Sequence, residues 1–454
     1  MSARIVSPTL AEITTTGGHV TGRLRRILGV GFGLAVTIGS TIGVGILAAP
    51  GRVAGQLHVP STILLAWIIG GVYTLLGSVC LTELGTMAPQ AGGYYVYARR
   101  AFGDRIGFAV GWTDWLTYCA VLGYVSIGMI DFLGGLIPSL AGAEKPIAIG
   151  VLVGFVGLPW AGVRVSSWFQ EWTTALKCLA FLALIVAGLV MSGGISGAAT
   201  SAKPLSPVTL SGLITALQVV AITYAGWQSA LYFTEEDRDP VRNLPRAMIG
   251  GVLAVIVIYL LVNIALLAIL PIPDLAHAPL PAAAAAQVIV GTRGAQVITA
   301  LALFSLVPLL NAIMMVGTRI LFALGRDRLL WSRAADVNAR GTPGVATLVT
   351  LIVAIVFIAT MTFDRLVGLA SFFLAVNYAV CCLALVALRR REPTTARPFR
   401  AWGYPWSAAI VVAGSLAFLV GTLIGDTTGA LVAMSLCAVG LIGHEWHRRT
   451  RRNA

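Results

Sequence analysis

Twelve long apolar segments follow one another along this chain with almost no interruption. Hydrophobic residues make up 57% of its 454 residues and charged residues only 11%. A water-soluble domain of this length does not need so much apolar surface to form its core, so the pattern predicts an all-α membrane protein. The segments lie at roughly 27–55, 60–88, 104–138, 147–163, 169–191, 211–235, 245–271, 285–325, 345–362, 366–388, 405–424 and 428–444.

The basic residues predict how these segments are oriented. With the N-terminus in the cytoplasm, 25 of the 31 Lys and Arg residues fall on the cytoplasmic side, as the positive-inside rule requires. We therefore expect a multi-pass protein of the plasma (inner) membrane with both termini cytoplasmic. The net charge of +13 then orients the chain and meets anionic lipid, so the lipid bilayer is an expected partner and nucleic acid is not.

The residue types that bind metals and cofactors form no recognisable motif. All six cysteines lie in apolar segments without CxxC spacing, as expected of small buried hydrophobic residues. The sequence has no phosphate-binding GxxxxGK[ST] motif and no HExxH, and His444 and His447 lie in a basic tail. We expect no metal, no cofactor and no enzymatic activity. The external connections are short and free of cysteine, so we also expect no obligate partner subunit.

Two of the segments contain a glycine-rich interruption. The first segment holds Ile38-Gly-Ser-Thr-Ile-Gly-Val-Gly-Ile-Leu47, and the sixth holds Tyr224-Ala-Gly-Trp227. Unwound backbone in hydrocarbon leaves N–H and C=O groups unpaired at a cost of several kcal/mol each. Free N–H groups suit an anionic group and free carbonyls a cation, so two such breaks predict a binding site. Gly39 and Gly43 alone would also fit the GxxxG helix-packing motif.

The positions of the two breaks also predict the internal organisation. Interruptions in the first and sixth segments divide the chain into five spans, five more and two appended, and an odd-numbered repeat inserts its second copy upside down. The first, third and eighth segments are too long for a straight crossing of a ~30 Å core and need tilt or a break. The predicted parts are a cytoplasmic tail 1–26, a first repeat 27–191, a second repeat 211–388, two additional helices 405–444 and a basic tail 445–454.

The motifs around the breaks resemble those of the amino acid–polyamine–organocation superfamily. Ile38–Leu47 is similar to its first-helix motif IGxxIGSGIF, and Thr223-Tyr-Ala-Gly-Trp-Gln228 with Thr234-Glu-Glu236 is similar to its sixth helix. Further matches follow in order along nearly the whole chain, and they look closest to the L-type amino acid transporter branch and its bacterial relatives. The resemblance implies the leucine-transporter fold, with twelve transmembrane helices, a 5+5 inverted repeat and broken helices 1 and 6.

The same resemblance implies a substrate site. Backbone amides of the first break would hold a carboxylate, and carbonyls near both breaks would receive an amino group. The usual serine of the first motif is Val44 here, so a hydroxyl contact is missing. The usual aromatic gate falls on Ile222, so closure would be looser or would use Tyr224 or Trp227. The implied substrate-binding residues are Ile38, Ile42, Gly43, Val44, Gly45, Ile222, Tyr224, Ala225, Gly226, Trp227 and Asn377, the last of which could instead pair with neighbouring backbone.

Lys177 is the most informative charged residue. It lies about eight residues, or ~12 Å along a helix, into the fifth segment, where a charge is costly and usually functional. The resemblance implies that its ammonium group takes the place of a structural sodium ion and contacts the first broken helix. Sodium coupling at that place is then not expected. The sequence leaves open whether Lys177 also carries a coupling proton.

Four further residues are candidates for gates: Glu83, Asp114, Glu235 and Arg319. We expect Glu83, Glu235 and Glu236 to lie near the inner surface, where salt bridges with Arg99, Arg242 or Arg319 would close that side. A solvated face is the alternative for Glu236 and Asp237. Asp114 could bind a cationic substrate, line the inner vestibule, or pair with Arg99 or Arg105.

The expected function is secondary active transport of neutral L-amino acids by alternating access, without sodium, as an exchanger or with protons. A polyamine, organic-cation or cationic amino acid carrier is the alternative. It would need acidic residues facing the pocket, and only Asp114 and Asp131 are available. A channel or a structural membrane protein would explain broken helices but not the ordered motifs.

Overall fold

The computed structural model describes residues 24–137, 139, 142–191, 208–338 and 340–452, so most of the predicted tail 1–26 lies outside it. The first half is built from α1 (Val30–Thr41), α2 (Val44–Leu57), α3 (Pro60–Met87), α4 (Tyr94–Phe102), α5 (Asp104–Leu136), α6 (Glu144–Ala161) and α7 (Val163–Met191). The second half begins with α8 (Leu210–Thr223) and a short 3₁₀ helix, Trp227–Phe233.

The remaining helices complete the second half and the C-terminal part. They are α9 (Pro240–Ile269), α10 (Ile272–His277), α11 (Pro281–Val290), α12 (Thr292–Arg326), α13 (Gly344–Thr360), α14 (Phe363–Arg391), α15 (Trp406–Gly425) and α16 (Thr427–Arg452), with a second 3₁₀ helix at Ser332–Ala335. Apart from two isolated β-bridges, no strand occurs in the described part of the chain.

Most of these helices can cross a membrane. Among the described residues, ten helices are long and apolar enough to do so, with Leu210–Phe233 taken as one, and the bent pair α1 and α2 adds an eleventh. The 17-residue helix α13 is apolar but shorter. The chain is therefore an all-helical, multi-pass membrane protein, while the count of twelve crossings stays a prediction.

Both predicted interruptions are present. α1 ends at Thr41 and α2 begins at Val44 with a bend of 42° between them, because Ile42 (ψ 101°) and Gly43 (φ −143°) are extended rather than helical. In the sixth segment, α8 stops at Thr223, and Gly226 has a φ of +117° that side chains disfavour. Each break thus lies at the glycines that the sequence singled out.

Other boundaries differ from those predicted. The eighth segment, expected at 285–325, is divided by Gly291 (φ +81°), which separates α11 from the 35-residue α12. The third segment is one unbroken helix of 33 residues, roughly 50 Å long at 1.5 Å per residue. It is therefore longer than the ~30 Å hydrocarbon core and contains no break. The last helix continues through the predicted basic tail as far as Arg452.

The broken helices lie inside the bundle. α1 packs against α7, α9 and α12, α2 against α8 and α10, and α5 against α12, α13 and α14. Helices at the periphery expose large apolar side chains, such as Trp168, Trp172 and Leu179 on α7, as expected of surfaces that face lipid. We call the end of the molecule that holds Met87, Asp104, Arg326 and Arg391 the arginine-rich end, and the other the opposite end.

Candidate functional site

A cavity of about 150 Å³ lies between the two helix breaks. Its wall is formed by both interruptions together with α5, α12 and α14. Arg52 is the one charged residue among the described residues that line it. The lining residues are Ser40, Thr41, Gly43, Gly45, Ala48, Ala49, Arg52, Thr117, Tyr118, Val121, Tyr124, Val219, Ile222, Thr223, Ala225, Gly226, Gln228, Ser229, Leu309, Ile313, Phe363, Val367, Ala370, Ser371 and Leu374.

The two breaks touch each other. A Cβ atom at Gly226 would lie 2.4 Å from the Ser40 carbonyl oxygen, so only glycine permits this approach. The Tyr259 hydroxyl, on α9, lies 2.8 Å from the Thr41 carbonyl oxygen and 3.1 Å from that of Thr223. A hydroxyl has one proton, so Tyr259 shares it between the two breaks. Sequence reasoning missed Tyr259, because nothing but its polarity marks it within an apolar segment.

The start of α2 borders the cavity. Gly43, the residue that precedes the helix, supplies no side-chain hydrogen bond to the first-turn amides, and Gly43 and Gly45 both line the cavity. The N-terminus of a helix carries a partial positive charge. Unpaired N–H groups and this charge together make a site for an anionic group such as a carboxylate.

The carbonyls predicted to receive an amino group already accept hydrogen bonds. The Ile38 carbonyl accepts from the Ile42 amide at 2.9 Å, and the Ile222 carbonyl accepts from the Ala225 amide at 3.0 Å. The Ile42 carbonyl accepts from Lys177. Neither Ile38 nor Ile42 lines the cavity, whereas Ile222 does. In this structure the first break therefore turns Ser40 and Thr41, rather than the two isoleucines, toward the open space.

The structure brings only part of the predicted substrate-binding set to the cavity. Gly43, Gly45, Ile222, Ala225 and Gly226 line it. Val44 begins α2, and its side chain is outside what the structure describes. The residues that do not line the cavity are Ile38, Ile42, Tyr224, Trp227 and Asn377.

Tyr224 and Trp227 point into helix packing instead. The Tyr224 hydroxyl donates to the Trp67 carbonyl at 3.2 Å, and the Trp227 ring lies 5.4 Å from that of Tyr378. Neither side chain lines the cavity in this conformation, so of the two predicted alternatives, looser closure or closure by one of these residues, the structure gives no support to the second. The aromatic residues of the wall are Tyr118, Tyr124 and Phe363.

Asn377 is buried and pairs with another helix. Its Oδ1 accepts from the Thr113 hydroxyl at 3.2 Å, and its Nδ2 has no partner in the described part of the chain. It thus joins α14 to α5 through a side chain, which is neither of the two predicted roles.

Lys177 reaches the first break. Its Nζ donates to the Gly39 carbonyl at 3.0 Å and to the Ile42 carbonyl at 2.5 Å, and the residue is 1% exposed. These carbonyls lose their helical partners where α1 ends, so the ammonium group replaces the missing donors. The contact is the one that the resemblance implies. A role of Lys177 in coupling stays a prediction.

A buried ion pair lies at the arginine-rich end. Arg319 of α12 donates from Nε to Glu236 Oε1 at 2.9 Å and from Nη2 to Oε2 at 3.2 Å. The two side chains are 1% and 0% exposed. The solvated face considered for Glu236 is wrong, since this carboxylate is fully enclosed. The backbone carbonyl of Glu236 also accepts from Ile27 and Leu28, both at 3.0 Å, which holds the segment before α1 in place.

Glu83 has different partners from those predicted. Its carboxylate accepts from Arg389 at 2.9 and 2.5 Å and from the Ala401 amide at 2.6 Å, and Arg397 Nε lies 3.1 Å from it. These groups come from the end of α14 and the connection to α15. Pairing of Glu83 with Arg99, Arg242 or Arg319 is therefore wrong. The reason is that α3 ends beside α14 in the bundle, some three hundred residues away in sequence.

Glu235 is also paired within the arginine-rich end. It accepts from Arg326 at 2.6 Å and from the Ala91 amide at 2.9 Å. Arg99, another expected partner, instead contacts Asp104 at 2.7 Å and Asp327 at 2.6 Å. None of the side chains in these ion pairs lines the cavity, so the cavity is closed toward the arginine-rich end.

Asp114 contacts no arginine. Its Oδ2 accepts from the Tyr232 hydroxyl at 2.8 Å, while Arg105 pairs with Glu445 at 2.7 Å. The expected pairing of Asp114 with Arg99 or Arg105 is wrong, because α5 turns Asp114 into the bundle. Asp114 does not line the cavity, and neither does Asp131, which is exposed. Across the described residues, no group of three His, Cys, Asp or Glu side chains could hold a metal ion.

An all-helical membrane protein with a cavity between two interrupted helices has the form of a solute carrier. Residues 33–442 match the family model described as "Amino acid permease". Since this match covers most of the chain, the protein belongs to the amino acid permease family, within the amino acid–polyamine–organocation superfamily. The resemblance seen in the motifs is confirmed.

Curated relatives are transporters rather than enzymes. The serine/threonine exchanger SteT of Bacillus subtilis is 27% identical over 92% of this chain and 96% of its own length. The branched-chain amino acid permease BcaP of Lactococcus lactis is 27% identical over 84% of this chain and 86% of its own length. The rabbit b(0,+)-type amino acid transporter 1 is 26% identical over 84% of this chain and 79% of its own length.

Proposed function

We propose that this protein is a sodium-independent secondary active transporter of neutral L-amino acids that works by alternating access. One observation carries the proposal: both helix breaks meet at a cavity that is lined by Gly43 and Gly45 at the start of α2, where first-turn amides lack helical partners, and by Arg52 as the one charge among the described residues. A zwitterion with an uncharged side chain fits such a wall, because its carboxylate finds donors and its side chain meets mostly apolar groups.

The helix packing supports a leucine-transporter fold with twelve spans and a 5+5 inverted repeat. Such a repeat relates span one to span six and span two to span seven. In the bundle, α1 of span one packs against α9 of span seven, and α8 of span six packs against α3 of span two. The broken helix of each half thus packs against the second span of the other half, which is what an inverted repeat produces. The arginine-rich end would face the cytoplasm of the inner membrane, as the positive-inside rule requires.

The charges favour neutral substrates over the polyamine, organic-cation or cationic amino acid alternative. Arg52 repels a second positive charge, and neither Asp114 nor Asp131 lines the cavity to attract one. A second, mostly apolar cavity of about 250 Å³ between α3, α8, α14 and α15 shares Ile222, Ser371 and Leu374 with the first. It offers room beside the site for an apolar side chain.

Sodium independence rests on Lys177. Its ammonium group occupies the two carbonyls of the first break that a sodium ion would otherwise bind. Transport would then be driven by exchange for an internal amino acid or by protons. The single chain would suffice, since all six cysteines lie within helices and none stands in a described connection to form a disulfide with a second subunit.

Uptake of radiolabelled amino acids into proteoliposomes tests the proposal. Vesicles are prepared empty or preloaded with unlabelled amino acid, each with and without a proton gradient and in sodium-free buffer. Uptake only into preloaded vesicles means exchange, and gradient-driven uptake into empty vesicles means proton symport. A strict requirement for sodium, or transport of diamines in place of neutral amino acids, would overturn the proposed function.

A further inference from the structure

Asp114 is a buried carboxyl group that the proposed transport site leaves unused. It lies on α5, is 0% exposed, and receives one hydrogen bond, from Tyr232. Its Oδ1 has no hydrogen-bond partner within the described chain. A carboxylate enclosed by apolar and neutral groups is strongly unfavourable unless a cation or several donors stabilise it.

Among the described residues, the groups that surround Asp114 supply no cation. The titratable side chains that interact with it electrostatically are Tyr118 of α5 itself, Tyr94 of α4, Tyr232 of the 3₁₀ helix, and Tyr378 and Cys381 of α14. From α12, which also packs against α5, the guanidinium of Arg319 is engaged with Glu236. In this conformation the described surroundings therefore offer little to offset the cost of ionising the carboxyl group.

A chain of side-chain contacts, one of them between two aromatic rings, leads from the cavity to this carboxyl group. Gln228 and Tyr118 both line the cavity, and Gln228 Nε2 lies 3.3 Å from the Tyr118 hydroxyl. The rings of Tyr118 and Tyr232 are 5.4 Å apart, and the Tyr232 hydroxyl contacts Asp114. Asp114 is thus connected to the open side and shielded from the arginine-rich end.

Tyr232 belongs to the part of the chain that must move if the closed side opens. The 3₁₀ helix Trp227–Phe233 follows the second break directly, and three residues beyond it Glu236 forms the buried pair with Arg319. Breaking that pair and displacing this segment would remove Tyr232 from Asp114 and admit water. The carboxyl group could then ionise.

We propose that Asp114 is the proton-binding site of this transporter. The carboxylate takes up one proton from the solvent of the open cavity, keeps it while the arginine-rich end is closed, and releases it to water on that side when the 3₁₀ helix moves away. The inference rests on the proposed transport function and assigns the coupling proton to Asp114. Lys177 then serves to hold the first break, in keeping with its bonds to two carbonyls and its place outside the cavity wall.

Proton movement measured with a pH-sensitive dye trapped in proteoliposomes tests the assignment. Wild type should acidify the lumen when amino acid is added outside, and a proton gradient should drive uptake into empty vesicles. In Asp114→Asn, which imitates the protonated state, the ratio of gradient-driven uptake to exchange in preloaded vesicles should fall at least tenfold. Asp131→Asn, an exposed aspartate on the same helix, is the matched control and should keep the wild-type ratio.

A second variant and the remaining outcomes each support or contradict the assignment of the proton to Asp114. Should Asp114→Asn fail to fold, Tyr232→Phe leaves the carboxyl group in place and removes its hydrogen-bond donor. The midpoint of its pH–uptake profile should move toward alkaline pH, because the ionised form has lost its stabilising contact. An unmoved midpoint, or wild-type proton coupling in Asp114→Asn, overturns the proposal. Amino acid exchange by wild type without any proton movement also overturns it, while leaving the transport function intact.

Discussion

The two ends of the molecule differ in their chemistry. Toward the arginine-rich end, Glu236 and Arg319 form an enclosed ion pair, and Glu83, Glu235 and Asp327 pair with further arginines. Toward the opposite end, the described residues form one exposed ion pair, Arg365 with Asp426 at 3.1 Å, and the cavity reaches Arg52 and Phe363.

This difference identifies the state of the molecule and the cost of leaving it. Loss of one partner from an enclosed ion pair strongly destabilises the folded protein, whereas exposed ion pairs contribute little to its stability. Opening the arginine-rich end must therefore hydrate several charges at once, whereas closing the other end brings together mainly apolar and aromatic groups. The structure shows a conformation closed at the arginine-rich end.

Removing one partner of the enclosed pair should have the largest effect. Glu236→Gln leaves Arg319 buried without its counter-charge, which costs about 3–5 kcal/mol. Thermal unfolding of the purified protein in detergent should show a clear loss of stability. Arg365→Ala, at the exposed pair, is the control and should change stability by about 0–1 kcal/mol. Equal effects of the two substitutions would contradict the contrast between the ends.

Filling the contact between the two breaks should abolish transport. Gly226→Ala places a Cβ atom 2.4 Å from the Ser40 carbonyl and forces alanine to a φ of +117°. Uptake in proteoliposomes should fall at least tenfold. Gly150→Ala on α6, where a Cβ atom meets nothing within 4 Å, should transport like wild type. Retained transport in Gly226→Ala would mean that the close approach of the breaks is dispensable.

Loss of the lysine that binds the first break should impair transport while the ion pairs stay intact. Lys177→Ala leaves the Gly39 and Ile42 carbonyls without their donor, so the break should lose its geometry and uptake should fall about tenfold. Lys145→Ala removes an exposed lysine at the opposite end and should have little effect. Near-normal uptake by Lys177→Ala would exclude the lysine from the mechanism.

Neutralising Arg52, the one charge among the described residues of the cavity wall, should have the smallest effect. Two unit charges 4 Å apart interact by about 1 kcal/mol in water, so Arg52→Gln should increase inhibition of neutral amino acid uptake by L-lysine about threefold to fivefold. Arg293→Gln removes an exposed arginine at the same end that does not line the cavity, and its competition profile should match wild type. Identical profiles for both variants would remove Arg52 from substrate selection.

Local features of the fold and the site were predictable from the sequence. The breaks follow from glycines inside apolar segments, and the importance of Lys177 follows from a charge at that depth. The partners of Glu83, by contrast, depend on how α3 meets α14, and a sequence gives no distance between residues 83 and 389. The direction of Tyr224 and Trp227 depends on one turn at Gly226. Tyr259 and Arg52 carry no motif, so only the assembled cavity reveals them.

The hydroxyl of Tyr259 has a mechanical consequence. One donor shared by two acceptors, the carbonyls of Thr41 and Thr223, joins the unwound points of both interrupted helices to α9. A displacement of either break stretches its hydrogen bond with Tyr259 and pulls on the other break. The two breaks therefore have fewer independent degrees of freedom than two separate hinges. A solute that draws one interrupted helix inward would thereby draw the second with it.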